Sequence, residues 1–164
     1  MNQPVVVRPG TATDLQAVGL LWNKLNDFHL SIGMHFSADD TSADAWIASF
    51  SRTLGRFTHL WVAEQDDQIC GFLLARLKKT PAYLGGVLVG EISDLYINDD
   101  LRGQGTGRLL VDKAMQYFVT ENVHSVEVQI MAQNKPGLSF WNSLGFTDDI
   151  VLVRKMIKSD HHDA

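Results

Sequence analysis

The sequence predicts a single α/β domain in which a mixed, twisted sheet carries helices on both faces. Short apolar runs typical of strands alternate with stretches in which apolar residues recur at helical spacing. A hairpin signal joins early strands, whereas helices separate the later ones, so antiparallel and parallel pairs should share one sheet. The 164 residues, 45% of them hydrophobic, suffice for one complete core.

The first half of the chain predicts one strand, two helices and a hairpin. A strand at residues 5–8 precedes a helix whose apolar residues lie at helical spacing over 15–25. Residues 26–42 are rich in polar and small side chains and predict an irregular segment, which a second helix follows at 43–54. Two strands then flank the turn residues 65–68, a pattern typical of a hairpin.

The second half predicts an alternation of strands and helices. A long strand at 87–97 leads into a glycine-rich loop and a helix that ends near residue 122. A strand at 125–131, a helix at 135–145 and a last strand at 150–157 complete the series. The predicted order is therefore β-α-α-β-β-β-α-β-α-β.

The strand at 87–97 bears two carboxylates. Strict alternation of side chains places Glu91 and Asp94 on opposite faces, so the two should not serve one site directly. Asp94 is expected to form a polar contact or an ion pair beneath a helix. We expect the domain to span residues 1–158 and the tail at 159–164 to be disordered.

Composition restricts the class of protein. The formal net charge of −5 argues against a nucleic-acid partner, which would require a basic face. No apolar run is long enough to span a membrane and the N-terminus does not resemble a signal peptide, so we expect a cytoplasmic protein without a membrane partner. The single cysteine, Cys70, lies in an apolar run typical of a buried structural thiol. The histidines lack metal-ligand spacing, so no metal is expected.

A glycine-rich segment, LRGQGTGRLL, stands where the strand at 87–97 meets the following helix. Unpaired N–H groups at the start of a helix and the helix dipole favour an anion, and glycine lets a phosphate approach the backbone. Arg102 adds a positive charge and Thr106 adds a hydroxyl donor. We therefore predict a phosphate-binding loop; the alternative is a turn whose glycines serve its geometry alone.

Two common nucleotide-binding motifs fit this loop poorly. The P-loop motif requires a lysine directly after its last glycine, whereas Arg108 follows Gly107. The dinucleotide motif G-x-G-x-x-G fails because Arg108 stands where Gly103 and Gly105 would require a third glycine. A dinucleotide-dependent oxidoreductase is therefore a disfavoured alternative.

The loop does contain the motif R-x-x-G-x-G, formed by Arg102, Gly105 and Gly107, and here the sequence resembles the GNAT superfamily of N-acetyltransferases. The segments EISDLYINDDLRGQGTGRLL and NKPGLSFWNSLGF are both similar to segments of that superfamily. The second segment matches the superfamily pattern at Asn134, Phe140, Gly145 and Phe146. The predicted order of elements also matches, over nearly the whole chain.

The resemblance implies the single-domain acyl-CoA N-acyltransferase fold, in which the central strand splays from the next strand. It also implies that acetyl-CoA is bound, with its pyrophosphate on the glycine loop and its pantetheine arm in the opened wedge. A backbone N–H of residues 95–97 would hold the thioester oxygen as charge develops on it. The expected cofactor-binding residues are Leu95, Tyr96, Ile97, Arg102, Gly103, Gln104, Gly105, Thr106, Gly107, Arg108, Asn134 and Trp141.

The implied reaction is the direct attack of a neutral primary amine, on a small molecule or a protein, on the thioester within a ternary complex. Glu91, at the start of the wedge, is the expected base, and a solvated carboxylate at a strand end is the alternative. His29 and His35 lie in a segment that commonly borders the acceptor pocket. Either is expected to be a substrate contact or a base, since histidine titrates near neutrality, with a surface or packing role as the alternative.

Trp141 departs from the superfamily, which often has a tyrosine here as an acid. An indole N–H can donate a hydrogen bond but cannot supply a proton at neutral pH. A non-catalytic acyl-CoA-binding module of the same fold is therefore the second hypothesis. The sequence leaves open the identity of the acceptor amine and the choice between a monomer and a homodimer.

Overall fold

The computed structural model describes residues 3–36 and 42–157. These residues form five strands and four α-helices in the order β-α-α-β-β-β-α-β-α. The strands are β1 (Val6–Pro9), β2 (Thr58–Gln65), β3 (Gln68–Lys79), β4 (Leu88–Ile97) and β5 (Ser125–Val128). The helices are α1 (Leu15–Ser31), α2 (Ser42–Phe50), α3 (Thr106–Thr120) and α4 (Lys135–Ser143).

The strands form one mixed sheet in the order β1-β2-β3-β4-β5. The first three pairings are antiparallel, and β4 pairs with β5 in parallel. Helices α1 and α2 pack on one face, and α3 packs on the other together with side chains of α4. The predicted α/β class with a mixed sheet is therefore confirmed. The predicted hairpin is confirmed as well, since Asp66 and Asp67 form its turn with φ of 51° and 60°.

Helix α3 lies close against β4. Leu110 and Phe118 are buried on its inner side, as the apolar stripe predicted. A Cβ on Gly90 would lie 2.6 Å from the ring of Phe118, so a glycine is required for this close approach. Gly90 and Ile92 therefore both face α3, and the residue between them faces the opposite side of the sheet.

A β-bulge at Ser93 corrects the predicted faces of β4. Leu74 of β3 lies opposite Asp94 and the next residue of β3 lies opposite Ile92, so Ser93 is an extra residue without a partner. Alternation is broken there, and Glu91 and Asp94 both point to the face that α1 and α2 cover in part. The prediction of opposite faces was wrong, because a pattern of period two does not reveal an inserted residue.

Strand β4 separates from β5 after the pair Ile92–Val128, although β4 continues to Ile97. The predicted splay of the central strand is therefore present. Strand β5 is shorter than the strand predicted at 125–131, because residues 129–131 diverge from β4 and pair with no strand of the described chain. A wedge opens between these residues and the second half of β4.

Helix α1 continues through Ser31, whereas an irregular segment was predicted from residue 26. No glycine or proline lies between residue 20 and Gly33, which has a φ of 97° and follows the last helical turn. His29 therefore lies in the last turn of α1 and not in a loop. The predicted irregular segment also included residues 37–41, which lie outside the described residues.

The strand predicted at 150–157 is not formed. Residues 147–157 belong to no helix or strand. Their apolar side chains are exposed, with Val151 at 82%. Strand propensity alone is insufficient, since a strand forms only where a neighbouring edge accepts its backbone hydrogen bonds. The predicted tail at 159–164 lies outside the described residues.

Candidate active site

The wedge between β4 and β5 contains a cavity of about 110 Å³. Its walls come from the second half of β4, the end of β5 and the stretch after it, the inner side of α1, and α4 with its N-cap. The lining residues are Leu25, His29, Ile92, Ser93, Asp94, Leu95, Val128, Gln129, Ile130, Met131, Asn134 and Trp141. Four residues predicted for the site are thus brought together here: His29, Leu95, Asn134 and Trp141.

The end of β4 offers a strand edge to the wedge. Among the described residues, no strand pairs with this edge beyond Ile92. Leu95 lines the cavity, Tyr96 is buried on the side of α1, and Ile97 is buried on the side of α3. Such an edge can bind the amide groups of an extended ligand in the manner of an added strand.

The glycine loop leads from β4 into α3. Gly103 and Gly105 have φ of 75° and 88°, which glycine adopts without strain, and a Cβ on either would meet nothing within 4 Å. Both therefore lie beside open space at the N-terminus of a 15-residue helix. Gly107 is required for a different reason, because a Cβ at this position would lie 3.2 Å from the ring of Phe140 in α4. Two of the glycines shape the loop, and the third permits helix packing.

The charged residues of the loop differ in their accessibility. Arg102 donates from Nε to the carbonyl oxygen of Ile97 at 3.1 Å, and its Nη2 lies 2.9 Å from Oδ1 of Asp99. Its guanidinium is therefore turned toward the end of β4. Of the remaining polar residues of the loop, Gln104 and Arg108 are exposed and Thr106 is buried. Arg108, in the first turn of α3, thus offers an accessible positive charge at the helix N-terminus.

Asn134 and Trp141 hold α4 at the far end of the wedge. The Oδ1 atom of Asn134 accepts a hydrogen bond from the backbone N–H of Gly137 at 2.9 Å and so caps the helix. Trp141 makes edge-to-face contacts with Phe140 at 5.2 Å and Phe146 at 5.0 Å between ring centres. Both residues shape the cavity wall, and their contact with a cofactor stays a prediction.

Glu91 forms two ion pairs with β3. Its carboxylate lies 2.5 Å from Arg76 and 2.8 Å from Lys78, and Lys78 also binds Glu127 of β5. Burial alone would raise the pKa of Glu91, but the hydrogen bond from Lys78 and the charge of Arg76 hold it below its ordinary value. A carboxylate held by two cations is a weak base. Glu91 also precedes the point at which the wedge opens.

Asp94 has the opposite environment. Its carboxylate accepts hydrogen bonds from Nε1 of Trp22 at 3.2 Å and from Oγ of Ser93 at 2.6 Å. Among the described residues, no lysine or arginine forms an ion pair with it. Burial raises the pKa of Asp94, and burial lowers the pKa of His29 in the same cavity. Burial therefore disfavours the charged form of both the carboxylate and the imidazole in this cavity.

Sequence reasoning missed the partners of Asp94. Trp22 and Trp46 stack with their ring centres 5.3 Å apart, beneath the sheet face that carries this carboxylate. Helical spacing marks both tryptophans as inward-facing, but it does not distinguish an indole that only packs from one that also donates a hydrogen bond. The bulge that turns Asp94 toward them has no signal in the apolar pattern.

Other candidate residues lie away from the wedge. His35 is exposed beyond the end of α1 and does not line the cavity. Cys70 is buried, its thiol donates to the carbonyl oxygen of Ala63, and burial raises its pKa, as expected for a structural thiol. Within residues 3–36 and 42–157, no group of three or more His, Cys, Asp or Glu side chains could hold a metal ion. No helix in that part of the chain is long and apolar enough to cross a membrane.

A larger open groove of about 600 Å³ lies between α1 and the chain that follows β4. Three carboxylates and two cations line it, so its net charge is negative. The lining residues are Lys24, Asp27, Phe28, Tyr96, Asn98, Asp99, Asp100 and Arg102. Because Arg102 pairs with Asp99, the charge of the groove is close to balanced, with one carboxylate in excess.

Comparison with known proteins identifies one family. The sequence model of the acetyltransferase (GNAT) family matches residues 22–146. That range includes both strands of the wedge, the glycine loop and α4.

Three proteins illustrate the similarity. The chain is 25% identical over 122 residues to a mycothiol acetyltransferase of Amycolatopsis mediterranei, which covers 74% of this chain and 38% of that protein. It is 35% identical over 91 residues to the peptidyl-lysine N-acetyltransferase YjaB of Salmonella typhimurium, which covers 53% of this chain and 49% of that protein. The chain thus aligns with less than half the length of either relative. The fold is similar to that of the aminoglycoside N-acetyltransferase AAC(6')-Iy in complex with CoA, with a TM-score of 0.73, 18% identity and coverage of 93% and 95%.

The environment of Asp94 predicts how stability depends on pH. Because the folded state raises the pKa of Asp94, the native protein binds this proton more tightly than the unfolded chain does. The stability that the protonated carboxyl contributes is complete at low pH and is lost as the pH rises through the raised pKa. In Asp94→Asn this loss should disappear, so the urea midpoint should fall less steeply than that of the wild type between about pH 4 and pH 8.

Asp112→Asn, on the exposed side of α3, is the matched control for removing one carboxylate. Its midpoint should follow the wild-type curve. Parallel curves for the wild type and Asp94→Asn would contradict the raised pKa.

Proposed function

Because the chain belongs to the GNAT acetyltransferase family, we propose that it transfers the acetyl group of acetyl-CoA to a primary amine. The observation that carries this proposal is the wedge. Strand β4 loses its partner after Ile92, and the freed strand runs directly into a glycine loop at the N-terminus of α3. A free strand edge suits an amide-bearing chain, and unpaired helix N–H groups suit phosphates. The two features in succession fit one long ligand that has both parts.

The loop and the wedge would hold different parts of acetyl-CoA. Gly103 and Gly105 leave open space beside their backbone, which supports a pyrophosphate site, and Arg108 would balance its charge. The amides of the pantetheine arm would pair with residues 95–97, where a backbone N–H would also bind the thioester oxygen. When bound, acetyl-CoA supplies the activated acyl group, and the residues of the chain orient the amine and take its proton.

Asp94 is the base that the geometry favours. An acceptor amine enters as an ammonium ion and must lose a proton before it attacks. Asp94 faces the cavity and accepts hydrogen bonds from neutral donors, so an entering ammonium ion would supply the counter-ion that Asp94 lacks. The raised pKa of Asp94 also suits this carboxylate to accept a proton. Glu91, the base expected from the sequence, stays the alternative, because its ion pairs would have to loosen first.

The acceptor is proposed to be a cationic amine. Asp94, which has no cationic partner among the described residues, favours positive charge in the wedge. Two of the related proteins are by name N-acetyltransferases of lysine side chains and of aminoglycosides, which are amines of this kind. His29 would contact the acceptor inside the cavity. His35 has less support for this role, because it lies outside the cavity.

The function is tested by following free thiol release from acetyl-CoA in the presence of a panel of amines. We expect turnover with lysine peptides, aminoglycosides or another cationic amine, and we expect coenzyme A to raise the melting temperature. A raised melting temperature without turnover on any amine would favour the non-catalytic acyl-CoA-binding module. The absence of both effects would contradict acyl-CoA binding.

The phosphate site is tested by reversing the charge at the start of α3. Arg108→Glu should raise the Kd of coenzyme A about ten- to a hundredfold, because a carboxylate would face the pyrophosphate. An acidic residue in the first turn favours the helix itself, so the fold should persist. Lys113→Glu makes the same change of charge more than one turn further along α3 and should leave the Kd nearly unchanged. Equal affinity in Arg108→Glu and the wild type would place the phosphates elsewhere.

The two carboxylates of β4 are distinguished by paired substitutions. Asp94→Asn should lower kcat about 10²–10⁴-fold with little change in the Kd of coenzyme A, as expected for loss of a general base. Glu91→Gln should cost stability through its broken ion pairs and should lower kcat less. If Glu91→Gln abolishes turnover while Asp94→Asn retains it, Glu91 is the base.

The variant Trp22→Phe tests the role of Asp94 through the pH–rate profile, which a purely structural role of Asp94 would leave unchanged. It keeps an aromatic ring but removes one hydrogen bond that stabilises ionised Asp94, so the pKa of Asp94 should rise further. The ascending limb of the pH–rate profile should therefore move to higher pH. An unshifted limb would show that Asp94 does not control the rate.

A further inference from the structure

The side chain of Lys78 connects three strands of the sheet. Its Nζ atom, which extends from β3, donates to Oε2 of Glu91 in β4 at 2.8 Å and also to Oε1 of Glu127 in β5. Because β4 lies between β3 and β5, Lys78 reaches across the full width of β4. Among the described residues, no other lysine or arginine forms an ion pair with Glu127. The charge of Glu127 is therefore balanced by Lys78 alone in this part of the chain.

The two carboxylates that Lys78 contacts belong to one rung of the sheet. Glu91 pairs with Glu127 in the parallel register, and only the pair Ile92–Val128 follows before the strands separate. Like charges that lie opposite each other on adjacent strands destabilise the pairing. The side chain of Glu91 is only 10% exposed, so water screens this repulsion in part at most. Without Lys78, the two carboxylates would repel each other directly beside the wedge.

The charge of Lys78, and not its packing, accounts for this arrangement. Its side chain is 41% exposed, so its truncation would leave no cavity in the core. The hydrogen bonds to Glu127 and Glu91 raise the pKa of Lys78, so the amine stays an ammonium ion at neutral pH. Arg76 contacts Glu91 but not Glu127, and it therefore cannot replace Lys78 between the two strands.

We propose that Lys78 is a positioning residue that fixes the point at which β4 and β5 separate, and thereby the place of Asp94 in the wedge. If pairing ended earlier, residues 91 and 92 would join the free edge of β4 and the wedge would lengthen. Asp94 lies two residues after Ile92, just beyond the bulge at Ser93, so it would shift relative to the wall that β5 forms.

The consequence for catalysis rests on the proposed function, whereas the control of strand separation does not. The free edge at residues 95–97 would hold the thioester, and Asp94 would take the proton of the amine. Both depend on where the wedge begins, because both follow that point directly along β4. A displacement of reacting groups by about 1 Å can lower the rate about a hundredfold without weakening the binding of the substrate.

The strand separation is tested by hydrogen exchange of the β5 amides, measured by mass spectrometry on the full chain. Lys78→Met removes the charge but keeps an unbranched apolar stem, and the β5 amides should then exchange at least about tenfold faster. Lys78→Arg should exchange like the wild type, since a guanidinium can also donate to two carboxylates. Lys79→Met is the matched control, because Lys79 is exposed and forms no ion pair within the described chain, and it should leave the exchange unchanged.

A double variant distinguishes the repulsion between carboxylates from a loss of packing. In Lys78→Met with Glu127→Gln, the second carboxylate is gone as well, so the exchange of the β5 amides should return toward the wild-type rate. With an amine that is turned over, Lys78→Met should lower kcat about ten- to a hundredfold with little change in the Kd of coenzyme A. The double variant should recover most of this loss.

Three results would overturn the proposal. Unchanged exchange in Lys78→Met would show that Lys78 does not hold the strands together. Faster exchange that Glu127→Gln does not reverse would assign the effect to the stem of the lysine. Faster exchange with an unchanged kcat would mean that the start of the wedge does not position the reacting groups.

The exchange experiment requires no acceptor amine, so it separates this proposal from the proposed function. If no amine were turned over, the proposed function would fail, and the exchange rates of the single and double variants would still decide whether Lys78 fixes the strand separation. A thermal shift with coenzyme A shows for each variant that the fold and the acyl-CoA site are intact.

Discussion

The arrangement of the candidate site depends on the loss of backbone pairing between β4 and β5 after Ile92. Backbone N–H and C=O groups within a sheet are normally satisfied by the neighbouring strand, so an edge opened inside the sheet calls for another partner. The bulge at Ser93 bends β4 at the point of separation, and the capped helix α4 occupies the far end of the gap. One path therefore connects the cavity, the free edge of β4 and the N-terminus of α3.

The charged residues of the same region form two groups, one on each side of the point where the strands separate. Before the separation, Lys78 joins Glu91 of β4 to Glu127 of β5, and Lys78 and Arg76 together balance the charge of these two neighbouring carboxylates. After the separation, Asp94 meets only neutral donors. The first group holds the strands together where the wedge begins. The second leaves one carboxylate without a counter-ion at the place where an amine would have to lose its proton.

The sequence by itself determined the class of fold, the mixed sheet, the hairpin at Asp66–Asp67 and the glycine loop before α3, because these features depend on local periodicity and on residues with special backbone preferences. It also led to the family, through motifs that lie close together in the chain. The tertiary structure alone decided that Glu91 and Asp94 share a face, that Trp22 donates to Asp94, and that residues 150–157 pair with no strand among the described residues. An inserted residue in a strand, the direction of an indole N–H and the availability of a sheet edge are set by neighbours distant in sequence, and no local pattern encodes them.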